Sequence, residues 1–299
     1  MQKKISFSSQ GQRADIGTHK IYRILPNRYA DAVGPFVFLD YIPPAKQVIN
    51  DTDSKSGTGP HPHRGIATLT YLLSGEAEHF DSRGHHAKVS SGGAQWMKAG
   101  NGIVHDETVH PDSKTNDGLI HGFQFWINLP SKIKAEAPEY LPLPADKIPT
   151  KELSDERGWI KVIVGEHEEM KSIVPVYSKQ FLYHLHLKAG QIFSMECEKG
   201  LECAAFLPSN KAMINGTAFD ENEFIEFDRE NGTIEIQNQG SDAVDVMLFG
   251  GERFTEPIVA KGPFVMNSEL EIAEAYRDYY AGKYGVVHYP NSSSVMPVS

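Results

Sequence analysis

Two short pairs of residues could bind a metal ion. His61 and His63 occur in the segment HPHRG, and His105 and Glu107 occur in HDE. Alternate side chains of a strand share one face, so each pair presents both side chains together, and two pairs on two strands can converge on one point. Three neutral imidazoles and one carboxylate suit a divalent transition metal, with one or two coordination positions left for water, dioxygen or a substrate.

Glycine turns precede both pairs. Gly57 and Gly59 stand before the first pair, and Gly100 and Gly102 stand before the second. Turns of this kind place functional side chains at the ends of strands rather than in the middle of a core. A His-x-His pair alone is more often a surface or structural feature, and the presence of the second pair is what favours a metal site.

The remaining histidines give weaker signals. His184 and His186 also share a strand face, but the region about 40 residues downstream, DENEFIEFDRENG, offers carboxylates and no histidine, so we predict no metal there. Four other histidines are interpreted as surface residues or as polar groups satisfied by their neighbours: His79, His85, His86 and His121.

Other catalytic motifs are missing from the sequence. It has no Gly-x-Ser-x-Gly elbow, no phosphate-binding loop that ends in Gly-Lys-Ser/Thr and no dinucleotide glycine fingerprint. These absences disfavour a hydrolase or a kinase. Trp96, Phe125 and Trp126 could line a pocket for an aromatic molecule, but we interpret them as core residues.

The residues around the two pairs follow a pattern of short strands and glycine turns. Apolar residues from Ile66 to Asp81 predict two strands joined by a tight turn at Ser74 and Gly75. The turn AGNG and the strand GFQFWINL continue this rhythm. The spacing predicts an all-β fold, either an antiparallel sandwich or a barrel.

The pattern is interrupted after Pro130. Residues 131–150 contain four prolines and no sustained period, so we expect them to cross the surface between two packed units. The β pattern resumes with WIKVIVG and continues to AVDVMLFGG. We therefore divide the chain into an N-terminal domain, 1–135, and a C-terminal domain, 136–299.

One helix is predicted near the end of the chain, at about 268–281. Ser268 is suited to cap it, Glu271 completes a capping box, and Gly282 is placed to end it. The last residues, NSSSVMPVS, are expected to form a loose tail.

Composition restricts the partners and the compartment. Among 299 residues, 29 Lys and Arg stand against 39 Asp and Glu, and the net charge of −10 disfavours direct binding to DNA or RNA. The N-terminus has no apolar signal region and no apolar run approaches a membrane span, so we expect a cytoplasmic protein with no membrane segment. Cys197 and Cys203 are interpreted as two free, partly buried thiols, with one disulfide as the alternative.

Long segments of the chain resemble one family. These segments are HPHRGIATLTYLLSGEAEHFDSRG, then GGAQWMKAGNGIVHDE and GFQFWINLP, together with GPFVFLD near the start and GGERFTEPIVAKGPFVMNSELEIAEAYRDYYAGKYG near the end. They are similar to the pirins, a branch of the cupin superfamily, and the similarity spans nearly the whole chain.

The resemblance implies a bicupin: two tandem cupin-type antiparallel β-barrels with a short C-terminal helix, of which only the first barrel binds metal. By motif position the ligands would be His61, His63, His105 and Glu107, and the metal implied is iron, as Fe(II). Nitrogen and oxygen ligands also accept Mn, Co, Ni, Cu or Zn. The general cupin pattern has a glutamate where this chain has Ala67, which puts in doubt any role of that carboxylate outside the pirin ligand set.

The resemblance also implies a substrate class, because several pirins are described as quercetin 2,3-dioxygenases. A divalent metal held by three neutral histidines and one glutamate retains a charge of about +1 and favours an anion. A flavonol hydroxyl at such a site would lose its proton to Glu107 as general base, and the electron-rich product could react with O2 and open its ring.

Two other functions remain open from the sequence. Pirins of higher organisms resemble transcriptional co-factors, which suggests an iron-dependent redox-sensing regulator that acts through a protein partner. The chain could also bind a small aromatic molecule without turnover. Oxygen uptake with quercetin separates the enzyme from both alternatives.

Overall fold

The computed structural model describes residues 1–15, 20–47, 59–115 and 117–289. Within these ranges the chain consists mostly of strands and has two α-helices, which confirms the predicted all-β class. The strands form two similar β-barrels, each built from a seven-stranded and a four-stranded antiparallel sheet. The predicted tail and Gly57 lie outside the described residues.

The first half of the chain supplies most of the first barrel. Its strands are β1 (Ile5–Gln10), β2 (Gln12–Arg13), β3 (Tyr22–Leu25), β4 (Phe36–Lys46), β5 (His61–His63), β6 (Ile66–Ser74), β7 (Glu76–Asp81), β8 (His86–Ser90), β9 (Ala94–Lys98), β10 (Ile103–His110), β11 (Leu119–Asn128) and β12 (Glu139–Leu143). The seven-stranded sheet has the order β12-β9-β6-β11-β4-β3-β2, and the four-stranded sheet has the order β5-β10-β7-β8.

The second half supplies most of the second barrel. Its strands are β13 (Thr150–Glu152), β14 (Gly158–Val164), β15 (Glu166–His167), β16 (Met170–Lys171), β17 (Gln180–Leu187), β18 (Ile192–Cys197), β19 (Leu201–Ser209), β20 (Ala212–Ile214), β21 (Thr217–Phe219), β22 (Glu223–Phe227), β23 (Gly232–Gln237), β24 (Val244–Glu252), β25 (Val259–Lys261) and β26 (Phe264–Met266). The large sheet has the order β1-β22-β19-β24-β17-β14-β13, and the smaller sheet has the order β18-β23-β20-β21. The helices are α1 (Ser131–Lys134) and α2 (Glu269–Tyr280).

An apolar core lies between the two seven-stranded sheets and joins the barrels. The rings of Phe36 and Phe125 in the first barrel lie 5.4 and 5.7 Å from the ring of Phe249 in the second. Each buried aromatic ring removes roughly 150–250 Å² from water. This packing therefore holds the barrels together.

The interiors of the two barrels differ in polarity. Apolar side chains fill the second barrel, whereas the first contains imidazoles, carboxylates and hydroxyls beside smaller apolar clusters. Strand β11 shows how alternation produces this difference. Phe123 and Phe125 point to the core between the barrels, and Gln124 and Trp126 occupy the other face of the strand.

Strands β6 and β7 occur where the sequence predicts them, but they do not pair with each other. Strand β6 pairs with β9 and β11, and β7 pairs with β8 and β10. The chain changes sheet at Gly75, which has φ +113° and where a Cβ would lie 2.9 Å from the carbonyl oxygen of His110. The predicted tight turn is a corner of the barrel.

The segment after Pro130 is more regular than expected. Residues Glu139–Leu143 form β12, which pairs with β9 at the edge of the first large sheet. An edge strand tolerates proline because one side of its backbone has no ladder partner, and Pro142 lies in this strand. The expectation that residues 131–150 only cross the surface is wrong here, and the division after residue 135 stays a prediction.

Both ends of the chain pack against the half that is distant in sequence. Strand β1 pairs with β22 in the second barrel. Near the other end, the N–H of Val265 donates to the carbonyl of Arg64 in the first barrel. The ring of Tyr284 lies so close to Gly102 that no side chain would fit at that position. The two halves are therefore tied together by exchanged segments.

Helix α2 confirms the predicted C-terminal helix. Ser268 is its N-cap, and the Ser268 hydroxyl oxygen accepts a hydrogen bond of 3.3 Å from the N–H of Glu271. Ile272 packs in a separate apolar cluster with Phe264 and Tyr284, and Gly282 follows the helix with φ +74°. No helix in the described ranges is long and apolar enough to cross a membrane.

The two cysteines are joined. Cys197 ends β18 and Cys203 lies in β19, and their sulfur atoms form a disulfide across the intervening turn, with Cα atoms 7.8 Å apart. The interpretation of two free thiols is therefore wrong, and the alternative of a single bridge holds. Chain length argued against a need for disulfides, but it carried no information about the proximity of these two side chains.

Candidate metal centre

Three of the four candidate ligands come together inside the first barrel. Strand β5 pairs with β10 so that His61 lies opposite His105 and His63 lies opposite Ile103. One ring nitrogen from each of His61, His63 and His105 lies within 4.8 Å of the others. Alternation on β5 and the antiparallel register with β10 produce this convergence.

Backbone carbonyls orient two of the imidazoles. His61 Nδ1 lies 2.8 Å from the carbonyl oxygen of Gly59, and His63 Nδ1 lies 3.1 Å from that of Pro263. A carbonyl only accepts, so each Nδ1 carries a proton, and in the neutral form of each ring the lone pair lies on Nε2. This is the tautomer in which Nε2 can bind a metal ion.

His105 is the most informative of the three. It is 2% exposed, and neither of its ring nitrogens has a hydrogen-bond partner among the described residues. Burial lowers the pKa of His63 to about 3 and holds that of His105 well below its usual range, so both imidazoles are neutral. A buried polar group without a partner is costly, and a divalent metal ion would satisfy it. The residues present therefore fit such an ion.

Glu107 lies outside the histidine group. It follows His105 by two residues on β10 and shares its strand face. Its Oε1 accepts a hydrogen bond of 2.5 Å from the hydroxyl of Thr70, on β6 in the opposite sheet of the barrel. Glu107 as a metal ligand and as a general base stays a prediction.

A further buried histidine, His79, lies beside the three imidazoles. His79 is 1% exposed, and its ring centroid lies 5.4 Å from that of His105. It stacks on Tyr140 at 4.0 Å, and its Nε2 lies 3.0 Å from Asp81, which also contacts His85. Burial alone would raise the pKa of Asp81, but hydrogen bonds from the two histidines lower it to about 2. His79 is thus a satisfied polar histidine.

Trp126 is adjacent to the three imidazoles, although its sequence pattern led us to interpret it as a core residue. Its ring lies edge-on to His63 at 5.0 Å and stacks on Phe38 at 4.2 Å. Both aromatic side chains are only half-buried. Trp96 and Phe125, in contrast, are fully buried in the core between the barrels. The alternation along β11 was the signal that separates Trp126 from Phe125.

Ala67 does not face the candidate centre. It lies on the face of β6 opposite to Thr70 and is buried in the core between the barrels. A carboxylate at this position would point into that apolar core. The replacement of the usual cupin glutamate therefore removes no group from the centre.

His184 and His186 have protein partners instead of a metal-binding arrangement. Both rings contact Asp245 Oδ1, at 3.0 Å for His184 Nε2 and 2.7 Å for His186 Nδ1. His184 Nδ1 accepts a hydrogen bond of 2.7 Å from the hydroxyl of Tyr71 in the first barrel. In the part of the chain that the structure describes, these residues do not form a group of metal-binding geometry.

Comparisons with known proteins agree on one family. The family model described as Pirin matches residues 18–127, and the model described as Pirin C-terminal cupin domain matches residues 182–285. A relative from Pseudomonas aeruginosa, named provisionally as a quercetin 2,3-dioxygenase, is 32% identical over 262 residues, which are 88% of this chain and 90% of that protein.

Solved structures share the architecture. The crystal structure of quercetin 2,3-dioxygenase from Acinetobacter baumannii matches with a TM-score of 0.87 and 28% identity, covering 96% of this chain and 100% of that one. A bacterial pirin from Escherichia coli, in complex with nickel(II), matches with a TM-score of 0.62 and 21% identity over 84% of this chain and 100% of its own length. The latter likeness concerns the fold alone.

Proposed function

This chain belongs to the pirin family, and from that premise we propose that it is a metal-dependent dioxygenase that opens the ring of a flavonol such as quercetin with O2. The observation that carries the proposal is the convergence of three imidazoles inside the first barrel, with both nitrogens of His105 buried and unpartnered among the described residues. The names of the relatives from Pseudomonas aeruginosa and Acinetobacter baumannii support the substrate class.

We propose His61, His63 and His105 as the ligands of an Fe(II) ion, with Glu107 as the fourth. Imidazole and carboxylate donors also suit Mn, Co, Ni, Cu and Zn, so the choice of iron rests on the family rather than on donor chemistry. When bound, such a metal supplies Lewis acidity toward a substrate hydroxyl and a redox-active centre for the reaction with O2.

The aromatic residues beside the centre bind and orient the substrate in this proposal. Trp126 and Phe38 are half-buried and stack on each other, and the Arg23 guanidinium lies 3.9 Å from the centroid of the Phe38 ring. In this proposal the substrate contacts Trp126, whose ring is close to His63. Contacts between aromatic rings contribute about 0.5–1.5 kcal/mol beyond the area that they bury.

Glu107 holds the proton during the proposed reaction. A flavonol hydroxyl at the centre loses its proton to a carboxylate oxygen of Glu107, and the anion that remains is the form that reacts with O2. Thr70 fixes the orientation of this carboxylate through its hydrogen bond to Oε1.

Substitution of a histidine tests the ligand set and the reaction together. We expect His105→Ala to reduce bound iron to trace levels and to abolish oxygen uptake with quercetin, because one of three convergent imidazoles is lost. Elemental analysis and an oxygen electrode measure the two effects. His288→Ala is the control, since His288 is exposed on the surface. Full metal content in His105→Ala would contradict the assignment.

The role of Glu107 as a base has a separate test. We expect Glu107→Gln to retain part of the metal and to lower kcat for quercetin by roughly 100-fold, because an amide cannot take up the proton. Turnover per bound metal equal to that of the unsubstituted protein would exclude Glu107 as the base. If the iron-loaded, unsubstituted protein took up no oxygen with quercetin, a regulator or a non-catalytic binder would be the better account.

A further inference from the structure

We propose that the C-terminal segment, residues 259–289, holds the strands that carry the candidate ligands, so that its docking and the binding of a metal ion strengthen each other. The segment contains β25, β26 and α2, and it packs on the first barrel although it follows the second in the chain. The inference rests on the proposed function only for the ligand set. It makes Arg64 and Asp278 positioning residues rather than ligands.

The backbone around β26 lies directly against the end of β5. The Nδ1–H of His63 donates to the carbonyl of Pro263 at 3.1 Å. Two residues further along, the N–H of Val265 donates to the carbonyl of Arg64, also at 3.1 Å. At Gly65 a Cβ would lie only 2.0 Å from the carbonyl oxygen of Val265, so no side chain fits between the two backbones. A displacement of β26 would therefore remove the hydrogen bond that orients His63.

The segment also contacts β10 on both sides of His105. Tyr284 shares an apolar cluster with Val104, the residue before His105. The hydroxyl of Tyr289 donates to the carboxylate of Asp106, the residue after His105, at 2.6 Å. Alternation along a strand places Val104 and Asp106 on the face opposite to His105. The segment therefore packs against the back of the strand whose other face carries this imidazole.

An ion pair connects α2 to the residue next to His63. Arg64 Nη1 donates to Asp278 Oδ2 at 3.0 Å and to the hydroxyl of Tyr284 at 3.3 Å. That hydroxyl donates in turn to the carbonyl of Ala275, at 2.9 Å. The side chains of Arg64 and Asp278 are only 18% and 16% exposed. Removal of one charge from such a pair leaves the other poorly solvated, which weakens the docking of the helix.

Docking and metal binding affect each other equally. If the metal affinity is higher while the segment is docked, bound metal must favour the docked state by the same factor. Substitution of groups that hold metal ligands commonly lowers metal affinity by roughly 10–100-fold. Asp278 acts through Arg64 and not on a ligand itself, so we expect the low end of this range: Asp278→Asn should bind Co(II) roughly tenfold less tightly.

Titration of the metal-free protein with Co(II), in competition with a chelator, measures this affinity. Lys283→Met is the matched control, because Lys283 pairs with the same carboxylate at 2.7 Å but is 61% exposed. Its Co(II) affinity should equal that of the unsubstituted protein. If Asp278→Asn does not fold, Tyr284→Phe removes the hydroxyl shared by Arg64 and Ala275 but keeps the ring, and it should also weaken Co(II) binding.

Hydrogen exchange followed by mass spectrometry measures the reciprocal effect. We expect saturating Co(II) to slow amide exchange in α2 of the unsubstituted protein, by a factor no smaller than the affinity lost in Asp278→Asn. Exchange in the β15–β16 hairpin of the second barrel should not change. Equal exchange in α2 with and without Co(II), or unchanged Co(II) affinity in the folded variants, would overturn the proposal. Neither readout requires turnover, so a failure of quercetin oxidation would contradict the proposed function alone.

Discussion

Trp126 and Trp96 differ in the strand face that each occupies. Trp96 lies on β9 with its side chain in the core between the barrels, whereas Trp126 lies on β11 with its side chain inside the first barrel next to His63. From the sequence alone, we interpret both tryptophans as core residues. The face of the strand, and not the residue type, gives Trp126 a position from which it can contact a substrate.

This position predicts a specific kinetic effect. Trp126→Leu is expected to raise KM for quercetin about two- to twelvefold, the range that corresponds to losing an aromatic contact of about 0.5–1.5 kcal/mol. Bound metal should remain at the level of the unsubstituted protein, because Trp126 offers no ligand atom. Steady-state kinetics and elemental analysis provide the two values.

Trp159→Leu serves as the control for this substitution. Trp159 also stacks on a histidine, His186, with ring centroids 5.0 Å apart, but it belongs to the second barrel. Its replacement should leave KM unchanged. An equal rise of KM in both variants would mean that Trp126 acts through general packing and not through the substrate.

The candidate ligands were the most predictable part of the site. Two features of the sequence indicate that His61, His63 and His105 can meet: the alternation of side chains on each strand and the glycine turns that end the strands. The pairing of β5 with β10, which completes the convergence, is seen only in the structure. The partner of Glu107 could not be found in this way, because Thr70 lies on a strand of the other sheet. Its contact depends on how the barrel closes.

Among the strands and turns, local patterns predicted location better than pairing. The strands on both sides of Gly75 were predicted, but their assignment to different sheets was not, because a tight turn and a barrel corner use the same residue type. Strand β12 was missed because proline masks a strand pattern. Helix α2 was predicted from its cap and its periodicity, which are both local.

The C-terminal segment illustrates a contribution that the sequence does not reveal. The carbonyl of Pro263 orients His63, 200 residues earlier in the chain. Arg64, the next residue, forms an ion pair of 3.0 Å with Asp278 on α2. A candidate metal ligand of the first barrel thus depends on an element that follows the second. This dependence arises from the packing of distant segments, which leaves no periodic signal.

The two barrels are also joined by polar contacts inside their shared interface. Asp245 accepts hydrogen bonds from His184 and His186 of the second barrel, and Tyr71 of the first barrel donates to His184. The Tyr41 hydroxyl of the first barrel donates to the carbonyl of Pro208 in the second, at 2.7 Å. These hydrogen bonds satisfy polar groups that the interface buries. Because several of these groups bind or release protons, the stability of the interface depends on pH.

His121 shows how this sensitivity operates. Its Nε2 lies 3.1 Å from the Tyr41 hydroxyl oxygen at the interface. Burial lowers the pKa of His121 to about 4, whereas an unfolded histidine titrates near 6.5. Between these values the unfolded chain takes up a proton that the folded chain does not. The free energy of unfolding therefore falls as the pH is lowered from about 6.5 toward 4.

Replacement of His121 should reduce this loss of stability. In metal-free protein, which removes any effect of metal release, we expect the decrease in Tm from pH 7 to pH 4.5 to be smaller in His121→Gln by roughly 5 °C. Glutamine keeps a donor for Tyr41 but does not titrate. His288→Gln, a substitution at an exposed position, should follow the unsubstituted protein. Calorimetry gives Tm as a function of pH for both proteins. Parallel curves for His121→Gln and the unsubstituted protein would show that His121 binds protons equally in the folded and unfolded states. In that case His121 would not be responsible for the loss of stability at low pH.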